Sequence, residues 1–561
     1  MKKVVNGITF LKLKGSDVER ARLHGSYLKE EIKKGVIPAL AEKNAAIIKK
    51  SYMPKFLSPV KDLGVHFYHN ILLPMMEKNL PEKYRAMARA LADEVGLTES
   101  QILRALYQAD GLMFLSKTSV MRYTFKDLNI AAFPGCSSST VLKDWTEVGR
   151  PLMCRNQDYP IVGYWDPHPL VVFNESDEPG FIPHVSISTP GVFASGLTAM
   201  NEEGLCLSAH AHFGKKVSLK GMPIFYVGNE VISKAKSINE AIDLIRKIPR
   251  HANWAFILLD GKNNETCVVE MNPKEERIRY SKDGTISHSN YFHNEELKKD
   301  EALIAGGIVS DNLHRYCRMQ DQLQGLKGKI TVNHLAKIVG DSFDDKVGVH
   351  RIVGNTLSPI TNIKSVVFDP LKQKFWMSNR LESPVSWGDF MEIEKNEIFK
   401  ANFSPKFIEG KRPSEKIVKA MSKYREAFML YMGNTLTDYE EQTLKLLDEC
   451  LEIYNEDGNV LMVAGFVAFK MQLMEKAKKY FHEARNRNLG THIATVCDLF
   501  IARLYDIEDK RNFALKIYQK YVDYSDPILR SEFKRGLKKS YSIKNAKTLA
   551  IDLQFPDLLH Y

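Results

Sequence analysis

Apolar residues recur three and four positions apart through much of residues 16–115, which is the spacing of one face of an α-helix. The pattern is strongest in ERARLHGSYLKEEIKKGVIPAL and PEKYRAMARALADEVGLTESQILRALYQADGLM. Pro81 stands where a helix can begin, because proline suits the first helical turn, whose N–H groups have no partner within the helix. The pattern therefore predicts a largely helical first part of the chain.

Near residue 131 the pattern changes to short apolar runs that are rich in β-branched residues and bounded by Gly, Pro, Asn and Asp. Such runs predict antiparallel strands. They are STVL, PLMCR, LVVF, HVSIST, FASGLTAM, GLCLSAH, AFILLD, TCVVEM and SVVFD. Two helical stretches interrupt them, IFYVGNEVISKAKSINEAIDLIRKI and the segment from Asp311 to about Leu323. Because strands and helices do not alternate steadily, we predict an α+β fold with two sheets and helices packed outside them.

A third pattern begins after EGKRPSEK, residues 409–416, whose Gly, Pro and charges predict a linker. Everything beyond it is predicted to be helical, with an internal repeat of 37 residues. The repeated positions are Leu461, Gly465, Ala468, Ala477, Phe481 and Ala484, followed by Ala502, Ala514 and Tyr518. Small residues at these positions let two antiparallel helices approach closely, and their spacing resembles that of a tetratricopeptide repeat. A generic helical bundle is the alternative.

The composition excludes several classes of protein. The 561 residues are 44% hydrophobic and 26% charged, which argues against a disordered or collagen-like chain. No run approaches the ~18 consecutive apolar residues of a membrane helix. Asn6, Lys12 and Lys14 interrupt the apolar stretch that a secretory signal requires. We therefore expect a cytoplasmic protein without a membrane span.

The cysteines and the net charge exclude further kinds of site and partner. Seven cysteines without a CxxC pair indicate neither a disulfide framework nor a zinc site. The net charge is +11, and residues 501–550 hold twelve Lys or Arg against six Asp or Glu. Such a basic segment could contact nucleic acid, but its charges lie at helical spacing among Phe513, Leu515 and Ile517. We interpret it as a solvated helix face and expect no nucleic-acid partner.

Candidate chemistry lies in FPGCSSSTVLKDWTEVGRPLMCRNQDY, residues 133–159. Cys136 follows Gly135 at the start of a predicted strand, and Arg155 and Asp158 end the next one. In an antiparallel hairpin the end of the second strand returns beside the start of the first, so these side chains could be neighbours. A guanidinium near a cysteine favours the thiolate, which is the nucleophilic form.

A cysteine nucleophile also needs a base. No histidine is tied to Cys136 in the local sequence, so a Cys–His pair would require a remote residue such as His288 or His350. Alternatively, cleavage of the Gly135–Cys136 bond would free an α-amine on the same residue as the thiol. Because reference pKa values of about 7.7–8.0 for the amine and about 8.5 for the thiol are close, proton transfer between them is nearly balanced.

Further motifs follow in order along residues 8–395. They are His24–Gly25, ARALADEVGLTE, Gly135–Cys136, Arg155-Asn156 with Asp158, Asn201-Glu202-Glu203-Gly204-Leu205, Ser237–Ala241, Leu259-Asp260-Gly261 with Val269-Glu270, Ser289-Asn290-Tyr291-Phe292, Arg315 with Arg318, and His350-Arg351. With them the chain resembles the autoproteolytic cysteine family of penicillin (isopenicillin N) acyltransferase. That family lies within the N-terminal-nucleophile hydrolase superfamily, which includes the bile-salt hydrolases. The resemblance does not cover the helical repeats.

The resemblance implies a four-layer αββα N-terminal-nucleophile sandwich at residues 136–400. A helical pro-segment, residues 1–135, would precede it and remain attached as a small subunit after cleavage between Gly135 and Cys136. A helical, tetratricopeptide-like domain at residues 411–561 would follow.

The resemblance also implies roles for single residues. Cys136 corresponds to the nucleophile, and Asp158 to the carboxylate that orients its new amine. Arg155 corresponds to the arginine that supports the thiolate, and Asn290 to the asparagine that donates to the oxyanion. We expect these four side chains to share one site.

Other positions are matched less closely. Arg351 is the best counterpart of a late active-site arginine, with Arg315 and Arg318 as alternatives. Tyr291 stands where the family has a histidine. The predicted substrate-binding residues are His210, His212 and Tyr291.

We expect an amidohydrolase or acyltransferase that acts on a small N-acyl amide or thioester through a Cys136 acyl-enzyme, without a metal or cofactor. Hydrolysis and acyl transfer remain alternatives. A different class of function is a catalytically silent scaffold whose repeats bind a protein partner.

Overall fold

The computed structural model describes residues 1–35, 37–42, 58–117, 135–194, 196–302, 306–433, 439–549 and 551–555. The strands are β1 (Lys2–Val5), β2 (Ile8–Lys14), β3 (Gly135–Val141), β4 (Leu152–Asp158), β5 (Leu170–Glu175), β6 (His184–Ser188), β7 (Thr198–Asn201), β8 (Leu205–Ala211), β9 (Trp254–Asp260), β10 (Glu265–Met271), β11 (Glu276–Tyr280), β12 (Thr285–His288), β13 (Phe343–Asp344), β14 (Val349–His350), β15 (Asn362–Asp369), β16 (Lys374–Ser378), β17 (Phe390–Glu394) and β18 (Phe407–Ile408). The fold is α+β, as predicted.

Helices lie before, between and after these strands. They are α1 (Asp17–Tyr27), α2 (Lys29–Lys34), α3 (Ser58–Phe67), α4 (Leu73–Glu77), α5 (Glu82–Val95), α6 (Glu99–Leu106), α7 (Gln108–Lys117), α8 (Ile224–Lys234), α9 (Ile238–Lys247), α10 (Glu295–Lys298), α11 (Gly306–Gln324), α12 (Val332–Val339), α13 (Lys395–Ile398), α14 (Glu415–Gly433), α15 (Tyr439–Ile453), α16 (Gly458–Lys470), α17 (Met474–Arg485), α18 (Thr491–Ile507), α19 (Arg511–Lys520), α20 (Pro527–Lys538) and α21 (Ile543–Ala546). None of these helices has both the length and the apolarity needed to span a membrane.

The strands form two large sheets. One has the order β1-β2-β5-β6-β7-β8-β9-β10-β11, and the other has the order β12-β3-β4-β15-β16-β17-β18. Neighbouring strands are antiparallel except β2 and β5, which run parallel. Strands β13 and β14 pair separately.

A buried apolar layer lies between the two sheets. Phe10, Val171 and Ile257 from the nine-stranded sheet share one core cluster with Met153 and Val366 from the seven-stranded sheet. Because alternate residues of a strand point to opposite faces, the residues next to them face outward. Each sheet therefore has a second face that must also be covered.

Helices cover both outer faces. On the nine-stranded sheet, Leu258 shares a core cluster with Leu91 of α5 and Phe225 of α8. On the seven-stranded sheet, Cys154 clusters with Met319 of α11. The same cluster contains Val141 of β3, so α11 packs against the two strands where the candidate site begins.

The first fourteen residues differ from the sequence expectation. They fall within the predicted helical pro-segment, but β1 and β2 extend the nine-stranded sheet, and Thr9 to Lys14 pair with Leu170 to Glu175. Segment 1–135 is therefore not wholly helical, because its first residues form part of a sheet built mainly from residues after Cys136. His24 and Gly25 lie inside α1, where a Cβ on Gly25 would lie 2.9 Å from Glu94 Cβ of α5.

Beyond residue 414 the elements in the described part of the chain are helices, and they share one buried apolar core. The predicted small residue Gly465 lies against Phe481, since a Cβ at Gly465 would come within 2.6 Å of that ring. We call α14–α21 the helical region. Its core includes Ile352 and Trp387 from the α+β part, so the two parts share buried apolar contacts.

Candidate active site

The candidate site begins where β3 and β4 pair. Gly135 lies opposite Asp158, and Ser138 lies opposite Arg155. The predicted hairpin therefore brings the start of β3 beside the end of β4. Strand β3 is buried along its length after Gly135, and its small hydroxyl residues form hydrogen bonds across the core. Ser138 Oγ lies 2.6 Å from Ser208 Oγ of the other sheet. These short side chains let the strand that carries Cys136 pass through a dense core.

Cys136 and Arg155 point to the same face of their sheet. Arg155 Nη2 donates to Cys136 Sγ at 3.2 Å, and both side chains are buried. Burial raises the pKa of the Cys136 thiol above its ordinary value, and the Arg155 guanidinium partly opposes that change. The thiol of the uncleaved chain therefore needs a base, because Arg155 alone does not make it a thiolate.

Asn290 and Arg315 hold the backbone of Cys136. The Cys136 N–H donates to Asn290 Oδ1 at 2.8 Å, and Arg315 Nη1 donates to the Cys136 carbonyl at 2.6 Å. Arg315 Nη2 also donates to Asn290 Oδ1, at 3.1 Å. Asp311 fixes the arginine from the same helix, with Oδ2 2.8 Å from its Nε. We call Cys136, Arg155, Asp158, Asn290 and Arg315 the nucleophile cluster.

The Asn290 amide differs in orientation from the sequence expectation. A donor to an oxyanion would have to present Nδ2, but this group donates to the Ala211 carbonyl at 2.9 Å. Its Oδ1 faces Cys136 instead, because the Cys136 N–H and Arg315 are both donors. In the uncleaved chain Asn290 therefore accepts from the nitrogen that cleavage would convert to an amine.

Asp158 presents an unused acceptor beside the Gly135 backbone. Its Oδ1 accepts from Asn362 Nδ2 at 2.9 Å, whereas its buried Oδ2 has no hydrogen-bond partner among the described residues. A Cβ built on Gly135 would lie 3.3 Å from this oxygen. Burial raises the pKa of Asp158 to about 6, although Arg315 and the hydrogen bond from Asn362 partly oppose the change.

The structure favours Arg315 over Arg351 as the second arginine of the cluster. Arg351 pairs with Asp344 at 3.1 Å and with Asp457 at 2.8 Å, and it does not contact Cys136. Asp457 belongs to the helical region, so Arg351 joins two parts of the fold. Arg318 pairs with Asp341 at 2.7 Å and also lies outside the cluster. Chain order alone did not distinguish these arginines.

Matched glutamine variants separate the two buried arginines. Arg315→Gln is expected to lower the rate constant for nucleophilic attack by the Cys136 sulfur by roughly 10²–10³-fold, because a preorganised charged donor is lost. Arg351→Gln is expected to destabilise the fold by about 3–5 kcal/mol, because Asp344 and Asp457 lose a buried partner, and to retain the rate constant while folded. Thermal unfolding and rate constants per folded molecule give the comparison. An equal loss of rate in Arg351→Gln would restore Arg351 to the site.

The predicted substrate-binding histidines are buried next to the nucleophile cluster. His210 Nε2 is 3.0 Å from Ser138 Oγ, and His212 Nε2 is 2.8 Å from His288 Nε2. Burial lowers the pKa values of His210, His212 and His288 well below the ordinary value. The Tyr291 ring lies against the His293 ring, with centroids 4.3 Å apart and planes tilted by 32°. The structure therefore buries His210 and His212 in packing contacts.

Neither remote histidine considered as a base contacts Cys136. His288 contacts His212, and His350 Nδ1 lies 2.9 Å from Ser342 Oγ. Arg155, Asn290 and Arg315 contact the side chain and backbone of Cys136, and the His210 ring interacts with the Cys136 backbone rather than with its sulfur. This arrangement favours a base supplied by the main chain over a Cys–His pair.

A possible group of metal ligands lies outside this cluster. In the part of the chain that the structure describes, His314, Asp344 and Asp345 could place ligand atoms within 4.8 Å of one another. Arg351 and Arg318 already pair with the two carboxylates, at 3.1 and 3.2 Å. These ion pairs compete with a cation for the same oxygens.

A cavity borders the nucleophile cluster. Its volume of about 10 Å³ is enough for about one water molecule. Its wall contains Gly135, Asp158, Phe213, Asn290, Ile308, Asp311, Asn312, Arg315, Pro359, Gln554 and Phe555. The described wall includes none of His210, His212 and Tyr291. Sequence reasoning missed Asp311 and Asn312, although their spacing from Arg315 places all three on one face of α11.

Comparison with known proteins supports the resemblance to the acyltransferase family. Residues 145–381 match the family model described as acyl-coenzyme A:6-aminopenicillanic acid acyl-transferase. This confirms the resemblance to the penicillin acyltransferase family for that segment, which contains Arg155, Asp158, Asn290 and Arg315. The match is to a family described by its acyl-transfer reaction. It begins after Cys136 and ends before the helical region.

One curated relative is similar over part of its length. "Protein dcd1B" of Dictyostelium discoideum is 23% identical over an alignment of 286 residues that covers 49% of this chain. The matched part covers 52% of that protein, so the chain spans about half the length of the relative.

Proposed function

We propose that the protein is a self-processing cysteine enzyme that transfers or hydrolyses acyl groups through Cys136, after cleavage of the Gly135–Cys136 bond. The observation that carries the proposal is the convergence on Cys136 of Arg155 at its sulfur and of Asn290 and Arg315 at its backbone. The family match over residues 145–381 supports the acyl chemistry. The two stacked sheets with outer helices fit a four-layer αββα N-terminal-nucleophile sandwich.

In the cleavage step, the Cys136 sulfur attacks the Gly135 carbonyl carbon. A C–S bond forms while Asp158 Oδ2 takes up the thiol proton. The Gly135–Cys136 C–N bond then breaks, and the proton passes from Asp158 to the departing nitrogen. Water then hydrolyses the thioester and leaves a carboxylate on Gly135 and a free thiol and amine on Cys136. Asp158 Oδ2, which has no described partner, and Asn290 Oδ1 are the acceptors for that amine.

In the acyl step, the freed amine of Cys136 takes the thiol proton while the sulfur attacks an amide or thioester carbonyl. The leaving amine or thiol takes up a proton, and the acyl group remains on Cys136 as a thioester. Water releases a carboxylic acid, and a bound amine instead gives a new amide. Arg155 stabilises the thiolate that attacks.

Segment 1–135 stays bound after cleavage in this proposal. Strands β1 and β2 pair with β5 inside the nine-stranded sheet, and Leu11 and Leu91 lie in one core cluster with Leu258. Removing the segment would expose this core, which is unfavourable. The two fragments are therefore subunits of one folded enzyme.

Trapping of an acyl-enzyme tests the proposed chemistry. The full-length protein is mixed with phenylacetyl p-nitroanilide or a phenylacetyl thioester, quenched in acid and digested. A phenylacetyl group on the peptide that starts at Cys136 is expected, together with release of the leaving group. Absence of both adduct and release with every acyl donor of a broad panel would favour the scaffold alternative.

A further inference from the structure

The segment after the helical region reaches the candidate active site. Gln554 and Phe555 line the same cavity as Asp158, Asn290 and Arg315, more than 200 residues away in sequence from the nearest of them. Both side chains are buried, with 6% and 5% of their surface exposed. A segment outside the family match therefore supplies part of the wall beside the nucleophile cluster.

Residues on both parts of the fold hold this segment in place. The Leu553 side chain lies in the core of the helical region, and its carbonyl accepts from Tyr424 Oη of α14 at 2.5 Å. Phe555 instead belongs to the core cluster that contains Phe213 and Ile308, two other residues of the cavity wall. The segment thus links the helical core to the cavity within two residues.

The wall divides into a polar and an apolar part. Asp158, Asn290 and Arg315 form the polar part with neighbouring residues of α11, and Phe213, Ile308, Pro359 and Phe555 form the apolar part. Gln554 Oε1 is buried without a hydrogen-bond partner among the described residues. An acyl substrate needs both kinds of surface, a polar one for its carbonyl and an apolar one for its chain.

We propose that Phe555 and Gln554 are specificity-determining residues that form the acyl-chain wall of the Cys136 site. The inference rests on the proposed function. Phe555 forms part of the wall of a cavity that Gly135, the residue before the nucleophile, also lines, and the open volume of this cavity is about 10 Å³. Phe555 therefore limits the size of the acyl group that reaches Cys136, and the helical region controls this limit because it anchors the segment. The substrates are acyl groups with an apolar chain.

The first test measures access to Cys136 without any enzymatic turnover. Rates of alkylation at Cys136 are measured by peptide mass spectrometry with iodoacetamide, a small reagent, and N-benzylmaleimide, a bulky apolar one. Phe555→Ala is expected to raise the ratio of the bulky rate to the small rate by about tenfold or more, because a ring-sized apolar space opens. Leu549→Ala, which truncates a side chain in the core of the helical region, is expected to leave the ratio within twofold.

A ratio unchanged in Phe555→Ala would overturn the inference. If that variant does not fold, Phe555→Leu is measured instead, and it is expected to shift the ratio in the same direction by a smaller factor. A shift as large in Leu549→Ala as in Phe555→Ala would also overturn it, because general loosening would then account for both.

Turnover separates this inference from the proposed function. Wild type and Phe555→Ala are compared by kcat/KM for acetyl and phenylacetyl thioesters, and the preference is expected to move toward phenylacetyl by about tenfold. If the ratio of alkylation rates shifts but no thioester is consumed, the assignment of Phe555 to the wall is supported and the proposed function is contradicted. If thioesters are consumed with an unchanged preference, the proposed function stands and the wall assignment fails.

Discussion

Cys136→Ala is expected to leave the chain as a single 64.0 kDa species and to lower acyl release by roughly 10³–10⁶-fold. The variant lacks the sulfur that attacks both Gly135 and the acyl donor, so both reactions are lost together. Intact mass under denaturing conditions reports the cleavage, and release of the p-nitroaniline group reports the acyl reaction.

Cys154→Ala provides the matched control. Cys154 is one strand further into the same sheet, is fully buried, and packs in the cluster that covers the outer face. Burial raises the pKa of its thiol to about 12, so it does not react as a thiolate near neutral pH. This variant is expected to retain cleavage and activity. Cleavage or more than a tenth of the activity in Cys136→Ala would identify a different nucleophile.

Asp158→Asn is expected to slow the cleavage of the chain by roughly 10²–10⁴-fold. The side chain keeps nearly the same shape and can still accept from Asn362, but it can no longer take a charge beside Gly135. The slower cleavage therefore measures how much proton acceptance by the buried Asp158 Oδ2 contributes to the rate. The cleavage rate is measured from the loss of the 64.0 kDa species with time.

The same carboxylate predicts a pH dependence. Since the pKa of Asp158 in the uncleaved chain is raised to about 6, the carboxylate is ionised above this pH and accepts a proton, whereas below it the group is protonated. The cleavage rate is therefore expected to rise with pH, with a midpoint near 6, and to lose this rise in Asp158→Asn. Asn362→Ala removes a hydrogen bond that favours the ionised form and is expected to move the midpoint upward. A midpoint that stays near 6 in Asp158→Asn would assign it to another group.

The sequence predicted that Cys136, Arg155 and Asp158 are neighbours because the contacts that bring them together are local. Cys136, Arg155 and Asp158 lie on one hairpin, and hairpin pairing follows from the sequence of two adjacent strands. The α+β class followed in the same way from short β-branched runs between helical stretches. Such features need no knowledge of distant parts of the chain.

Contacts between distant segments were not predictable in this way. Strands β1 and β2 join the sheet through β5, about 160 residues later, and their short basic runs gave no sign of that partner. Arg351 follows the family order, yet Asp457 of the helical region binds it away from Cys136. Gln554 and Phe555 reach the cavity only because the helical region folds back onto the sheets.

The intact mass of the purified wild-type protein under denaturing conditions tests the central claim most directly. The mass of 64.0 kDa over 561 residues is about 0.114 kDa per residue, so cleavage after residue 135 gives fragments of about 15 and about 49 kDa. We predict these two species, with Cys136 as the first residue of the larger one. A single, stable 64.0 kDa species would contradict the account, because Cys136 would then lack the amine that serves as its base.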